Sequence, residues 1–101
     1  MNQMQQMLAQ AQRMQRELNK AREALNQKEF TVSKAGMVTV IVYGSHEIKS
    51  IDIDKDALDP ENAEMLSESI VLALNEANAA IDKESEEIEE RITGQKGNHL
   101  F

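Results

Sequence analysis

Met4-Gln-Gln-Met7-Leu-Ala-Gln-Ala11-Gln-Arg-Met14-Gln-Arg-Glu-Leu18-Asn-Lys-Ala21-Arg-Glu-Ala-Leu25 opens the chain with apolar residues at alternating spacings of three and four. That is a heptad seam on an otherwise polar helix. A stripe so regular stays exposed unless a second helix covers it, so this segment commits the protein to helix pairing. No β-branched residue interrupts it, and a helix over 1–27 is expected, on the order of 38 Å long at about 1.5 Å per residue.

After this helix the period changes from heptad to two. Phe30 and Val32 alternate with Thr31 and Ser33, and Val38, Val40 and Val42 alternate with Thr39, Ile41 and Tyr43. Two strands joined at Ala35-Gly36 follow from that alternation, and a turn at Gly44-Ser45-His46 leads to a third. In the third, Ile51 and Ile53 share a face while Ile48 is out of step, which predicts a bulge. The expectation is a three-stranded antiparallel meander over 29–54.

Asp59-Pro60-Glu61 supplies a capping acid, a proline for the first helical position and a first-turn carboxylate, so a second helix is predicted over 60–93, stopped by Gly94. Ala63, Leu66, Ile70, Ala73, Leu74, Ala77 and Ile81 give it a broad apolar face for the sheet. Beyond Ile81 only Ile88 and Ile92 continue that face, among Asp82, Glu84, Glu86, Glu87, Glu89 and Glu90. This end is expected to leave the sheet and lie antiparallel to the first helix. The result is an α/β (α+β) single domain over 1–101 with a projecting helical pair. So small a core favours dimerisation through the body, which makes the helical pairs two arms of a clamp.

Composition removes several functions. The chain has no cysteine, so disulfides, zinc-thiolate sites and thiol catalysis are excluded. No apolar run approaches the roughly 20 residues that span a bilayer, and glutamines interrupt any signal-peptide core, so a soluble cytoplasmic protein is expected. His46 and His99 lie far apart without Glu-x-x-His spacing, Ser45 beside His46 has no recognisable oxyanion element, and the four glycines form no phosphate loop. An enzyme is not expected, and no cofactor is implied. Asp52, Asp54 and Asp56 mimic the start of an EF-hand loop, but Ala57 stands where glycine is needed and Ala63 where a bidentate glutamate belongs, so no metal is expected.

The net charge of −7 argues against a polyanion partner on average. The average hides an asymmetry. Residues 1–28 hold five cations (Arg13, Arg16, Lys20, Arg22 and Lys28) against Glu17 and Glu23, a net of +3, which leaves −10 on the rest. Arg13, Arg16 and Lys20 fall on one stripe roughly opposite the seam, with Gln5, Gln6 and Gln12 on the same side. Such a stripe suits phosphate contacts, and it equally suits a solvated face with Arg13 balanced by Glu17. The acidic run of the second helix is either a solvated face or a guard that competes for Arg13 and Arg16 and keeps other anions away.

The strings Met7-Leu-Ala-Gln-Ala-Gln-Arg-Met-Gln-Arg-Glu-Leu18, Ala35-Gly36-Met-Val-Thr-Val-Ile-Val-Tyr-Gly44 and Ile51-Asp-Ile-Asp54, in this order and spacing, resemble the YbaB/EbfC-type nucleoid-associated proteins of bacteria. The resemblance implies a homodimer with tweezer-like helical arms that binds double-stranded DNA with little sequence preference. It also implies a place in the cytoplasmic nucleoid and a role in nucleoid organisation or gene regulation. On it, Arg13, Arg16 and Lys20 become the first DNA-binding candidates, with Arg22, Lys28 and Lys34 as weaker ones. No aromatic platform exists for unpaired bases. The alternative is a helical interaction or adaptor module without DNA, whose Met-rich start, Met1, Met4, Met7 and Met14, holds a protein partner.

Overall fold

The computed structural model describes residues 2–94. Helix α1 spans Gln3–Gln27. Asn2 caps it: the Asn2 side chain accepts from the Gln5 N–H at 2.8 Å, and the Gln5 side chain accepts from the Asn2 N–H at 3.3 Å. Two of the helix's orphan donors are thereby satisfied reciprocally. Strands β1 (Glu29–Lys34), β2 (Val38–Tyr43) and β3 (Ile48–Ile53) follow as an antiparallel meander in the order β1-β2-β3. Helix α2 runs over Ala63–Thr93.

The turn between β1 and β2 places both Ala35 (φ 57°) and Gly36 (φ 64°) in the left-handed region, closed by the Met37 N–H on the Lys34 carbonyl at 3.0 Å. Positive φ at both central residues matches the twist of a tight hairpin. The expected bulge is present. A register shift between Ile41 and Val42 sets Ile48 opposite Val42, while Ile51 faces Val40 and Ile53 faces Val38. One extra residue thus returns Ile48 to the face it would otherwise have left.

The entry to α2 differs from the reading of its sequence. Asp59 accepts from the Glu61 N–H at 2.9 Å, and the Asn62 N–H closes back on the Asp59 carbonyl at 2.8 Å, which winds Pro60–Asn62 as a short 3-10 turn. The α-helix proper starts at Ala63, and its N-cap Asn62 makes no side-chain cap. The capping signal is real but tightens the first turn. A second 3-10 turn, Lys55–Ala57, is capped by Asp54, whose carboxylate accepts from the Asp56 N–H at 2.8 Å. Gly94, in the left-handed conformation at φ 74°, ends α2 where the sequence placed its stop.

Two buried clusters hold the chain. Val38, Val40 and Val42 point up from β2 against Ala73, Ala77 and Ile81, with Phe30, Val32, Ile53, Leu66, Ile70 and Leu74 around them. The two alanines let α2 approach the sheet closely, and each buried valine contributes about 1.5–3 kcal/mol. The second cluster is Leu18 and Leu25 of α1 against Ile88 of α2, joined by Ala21, Phe30 and Ile92. Phe30 touches both and so ties the arm to the body. The radius of gyration, 19.5 Å, exceeds the roughly 13 Å of a compact 100-residue domain, and the principal extents are 71 × 27 × 14 Å. The excess length is the arm.

Candidate nucleic-acid interface

Two ion pairs cross the arm. The Arg22 guanidinium donates to the Glu89 carboxylate at 2.5 Å, and the Lys28 ammonium to Glu84 at 2.7 Å. Residue numbers rise along one helix as they fall along the other, so the pair is antiparallel, as the element order implied. With Lys28 level with Glu84 and Arg22 level with Glu89, the end of α2 at Thr93 comes level with α1 near Leu18. The N-terminal half of α1, about 20 Å at 1.5 Å per residue, therefore extends past the last described turn of α2.

The six cations singled out in the sequence divide into two groups. Arg22 and Lys28 flank the seam and meet the acids of α2, and Lys28 also lies 5.2 Å from the Phe30 ring centroid. Lys34, at the end of β1, reaches Glu76 of α2 at 3.2 Å. Arg13, Arg16 and Lys20 lie on the other side of α1, exposed, and among the described residues they enter no ion pair. Glu17 does not pair with Arg13, and Glu84 and Glu89 take Lys28 and Arg22 in place of Arg13 and Arg16. Gln6 and Gln12 are exposed on α1 near these cations, whereas Gln5 serves the helix cap.

Several partners were not legible in the sequence. His46 adopts φ 77° in the turn before β3, with Nδ1 3.0 Å from the Asn78 side-chain oxygen and Nε2 3.6 Å from Asp82. It staples that turn to α2 and is a structural residue. Lys49 donates to Glu29 across the outer face of the sheet at 3.0 Å and lies 5.9 Å from the Tyr43 ring centroid. Its hydrogen bond to the Glu29 carboxylate, more than any other influence, raises the Lys49 pKa above its ordinary value. Ser33 and Thr39 join hydroxyls at 2.8 Å on the same face. No group of acids, histidines or cysteines among the described residues could hold a metal ion, and none of the helices there is long and apolar enough to cross a membrane. His99 lies outside the described residues.

The sequence profile of the YbaB/EbfC DNA-binding family matches residues 1–96. The chain belongs to this family. Its YbaB/EbfC relatives include a nucleoid-associated protein of Mycoplasmopsis pulmonis, 40% identical over 90 residues that make up 89% of each chain. Another, from Enterococcus faecalis, is 41% identical over 87 residues, covering 85% of this chain and 84% of the relative. These are names of nucleoid-associated proteins and not of enzymes, and the family itself is one of DNA-binding proteins. The crystal structure of an uncharacterized Helicobacter pylori protein superposes with a TM-score of 0.75 over 93% of this chain and 99% of that one, at 24% identity. That likeness establishes the YbaB/EbfC chain's fold as helix, three-stranded antiparallel sheet and long helix.

Proposed function

We propose that a homodimer of this chain binds double-stranded DNA with little sequence preference in the nucleoid of the bacterial cytoplasm, in nucleoid organisation or gene regulation. Arg13, Arg16 and Lys20 make the first phosphate contacts. The observation that carries this reading is their freedom: of the cations on α1 and β1, these three are exposed on one stripe and, among the described residues, outside every ion pair, while Arg22, Lys28 and Lys34 are each held by an acid. A free guanidinium can exchange its water for a phosphate without first breaking an internal pair. Arg22, Lys28 and Lys34 are secondary contacts, available only when Glu89, Glu84 or Glu76 lets go.

Dimerisation doubles three cations to six, which offsets part of the repulsion from a net charge of −7. The surface that favours it lies beside β3. Ile48 and Ile51 face the α2 side of the sheet but remain exposed, because α2 lies over β1 and β2. Val71 and Leu74 share their flank of α2 with Asn78, which is bonded to His46 at the entrance to β3. Together they form an apolar ledge suited to a second copy across a two-fold axis.

The reading is tested by fluorescence anisotropy of a labelled random-sequence duplex at low salt. Saturable binding is expected, weakened at least about tenfold by Arg13→Glu with Arg16→Glu, since each substitution replaces a phosphate attraction with a repulsion. Equal affinity of the variant and the unsubstituted protein removes the site assignment, and no binding by a folded protein removes the function.

A further inference from the structure

The seam that α1 shares with α2 does not stop where α2 stops. Leu18, Ala21 and Leu25 are covered by Ile88 and Ile92, but the same stripe continues through Met14, Ala11, Met7 and Met4 beyond the end of α2. Among the described residues nothing covers its far end: Met4 is 78% exposed, Met7 65% and Leu8, which widens the stripe, 60%. A heptad stripe that is packed along one half and bare along the other is an interrupted helix–helix interface.

The polar residues around it say what completes it. Residues 3–12 read Gln-Met-Gln-Gln-Met-Leu-Ala-Gln-Ala-Gln, without one charged side chain, in a chain whose charge is otherwise dense. Two such tips meet without like-charge repulsion, which two copies of the acidic half of α2 could not do, and the glutamines flanking the seam are donor and acceptor at once. The surface is self-complementary in both its apolar and its polar parts. We infer that the tip of α1, through Met4, Met7, Leu8 and Ala11, pairs with the same tip on another copy of this chain.

Tips this short bury well under the roughly 1,000 Å² of a stable interface. Tip pairing is therefore weak between free molecules and gains strength when several copies are held near one another, because the second contact is then made at high effective concentration. If the DNA reading above holds, tip pairing joins two bound molecules and so brings two stretches of duplex together.

The test needs no DNA, so its failure is distinct from failure of that reading. Wild-type protein and the variant Met7→Glu with Leu8→Glu are sedimented from micromolar to sub-millimolar concentration. The wild type is expected to double its low-concentration mass at the upper end, while the variant, with unchanged helical circular dichroism, keeps its low-concentration mass throughout. Identical mass distributions for the two overturn the inference, including the case in which neither associates because the seam takes a different partner. Should the variant lose helix, a single cysteine in this cysteine-free chain provides the second reading. With oxidised glutathione, Met7→Cys on the seam is expected to form an interchain disulfide at least about tenfold faster than Gln12→Cys off it, and equal rates overturn the inference.

Discussion

Arg22 of α1 and Glu89 of α2, 67 residues apart in sequence, are joined by a 2.5 Å charge-assisted hydrogen bond across the arm. That bond sets a cation aside. Arg13, nine residues earlier on the same helix, enters no ion pair among the described residues, and the proposed DNA contact rests on that difference between the two arginines.

Arg22→Ala should accordingly leave duplex affinity within about twofold of wild type, whereas Arg13→Ala should weaken it several-fold. Both partners of the Arg22 pair are substantially exposed, so its loss should cost no more than about 1 kcal/mol of stability. Anisotropy and urea melts of the two variants measure this, and an Arg22→Ala effect on DNA as large as that of Arg13→Ala would contradict the division.

The salt dependence of binding counts the contacts. On the proposed reading, three free cations from each of two copies neutralise six phosphates, and the logarithm of affinity should fall against the logarithm of salt with a slope of about −5. Arg16→Ala should flatten that slope by about two, one contact from each copy. A flat salt titration of the unsubstituted protein would mean that phosphates are not the main contact.

Ile51→Glu should break the proposed homodimer. The side chain is exposed on the apolar ledge beside β3, so a carboxylate is harmless to the isolated fold but desolvated in the paired one. Light scattering should report a monomer at micromolar concentration with an unchanged circular-dichroism spectrum. A dimer that survives would move the interface elsewhere.

Gly44→Ala should destabilise the fold by about 1–3 kcal/mol. Gly44 sits buried beneath the end of α1, its N–H donating to the Lys28 carbonyl at 2.8 Å, and a Cβ there would overlap the Leu25 carbonyl oxygen. Backbone is what it would strike, so no side-chain rotation relieves the overlap. A urea midpoint equal to wild type would show that α1 can lift from the sheet at no cost.

Ala35→Gly should raise stability by up to about 1 kcal/mol. Ala35 occupies φ 57° in the β1–β2 turn, a conformation that costs an L side chain about 1–2 kcal/mol, part of which is returned by the glycine's larger unfolded-state entropy. A lower melting temperature would reverse the assignment of strain.

The elements were legible because their signals are local. The three-and-four spacing from Met4 to Leu25 is a property of helix geometry, the alternation around Val40 a property of the strand, and Ile48 out of step with Ile51 announced the bulge before any partner strand was known. Asp59 was read correctly as a cap, although the turn it caps is a 3-10 turn, because the choice between i→i+3 and i→i+4 closure depends on how the following chain packs. The antiparallel arm also followed from element order, since both helices must leave a sheet of three short strands at the same end.

Tertiary structure alone decided which charged residues pair. From Met4 to Lys28 the sequence by itself determined a polar-backed helix carrying six cations' worth of candidates with Lys34, and no spacing rule distinguished Arg22 from Arg16. The distinction lies in which side of α1 faces the return of α2, after some 60 intervening residues, and in the phase at which Glu84 and Glu89 arrive. Likewise the seam announced a helix partner, but only the end of α2 at Thr93 decided that, among the described residues, Leu18 and Leu25 are covered and Met4 and Met7 are not. Periodicity is set by backbone geometry within a few residues; neutralisation and coverage depend on where distant segments meet.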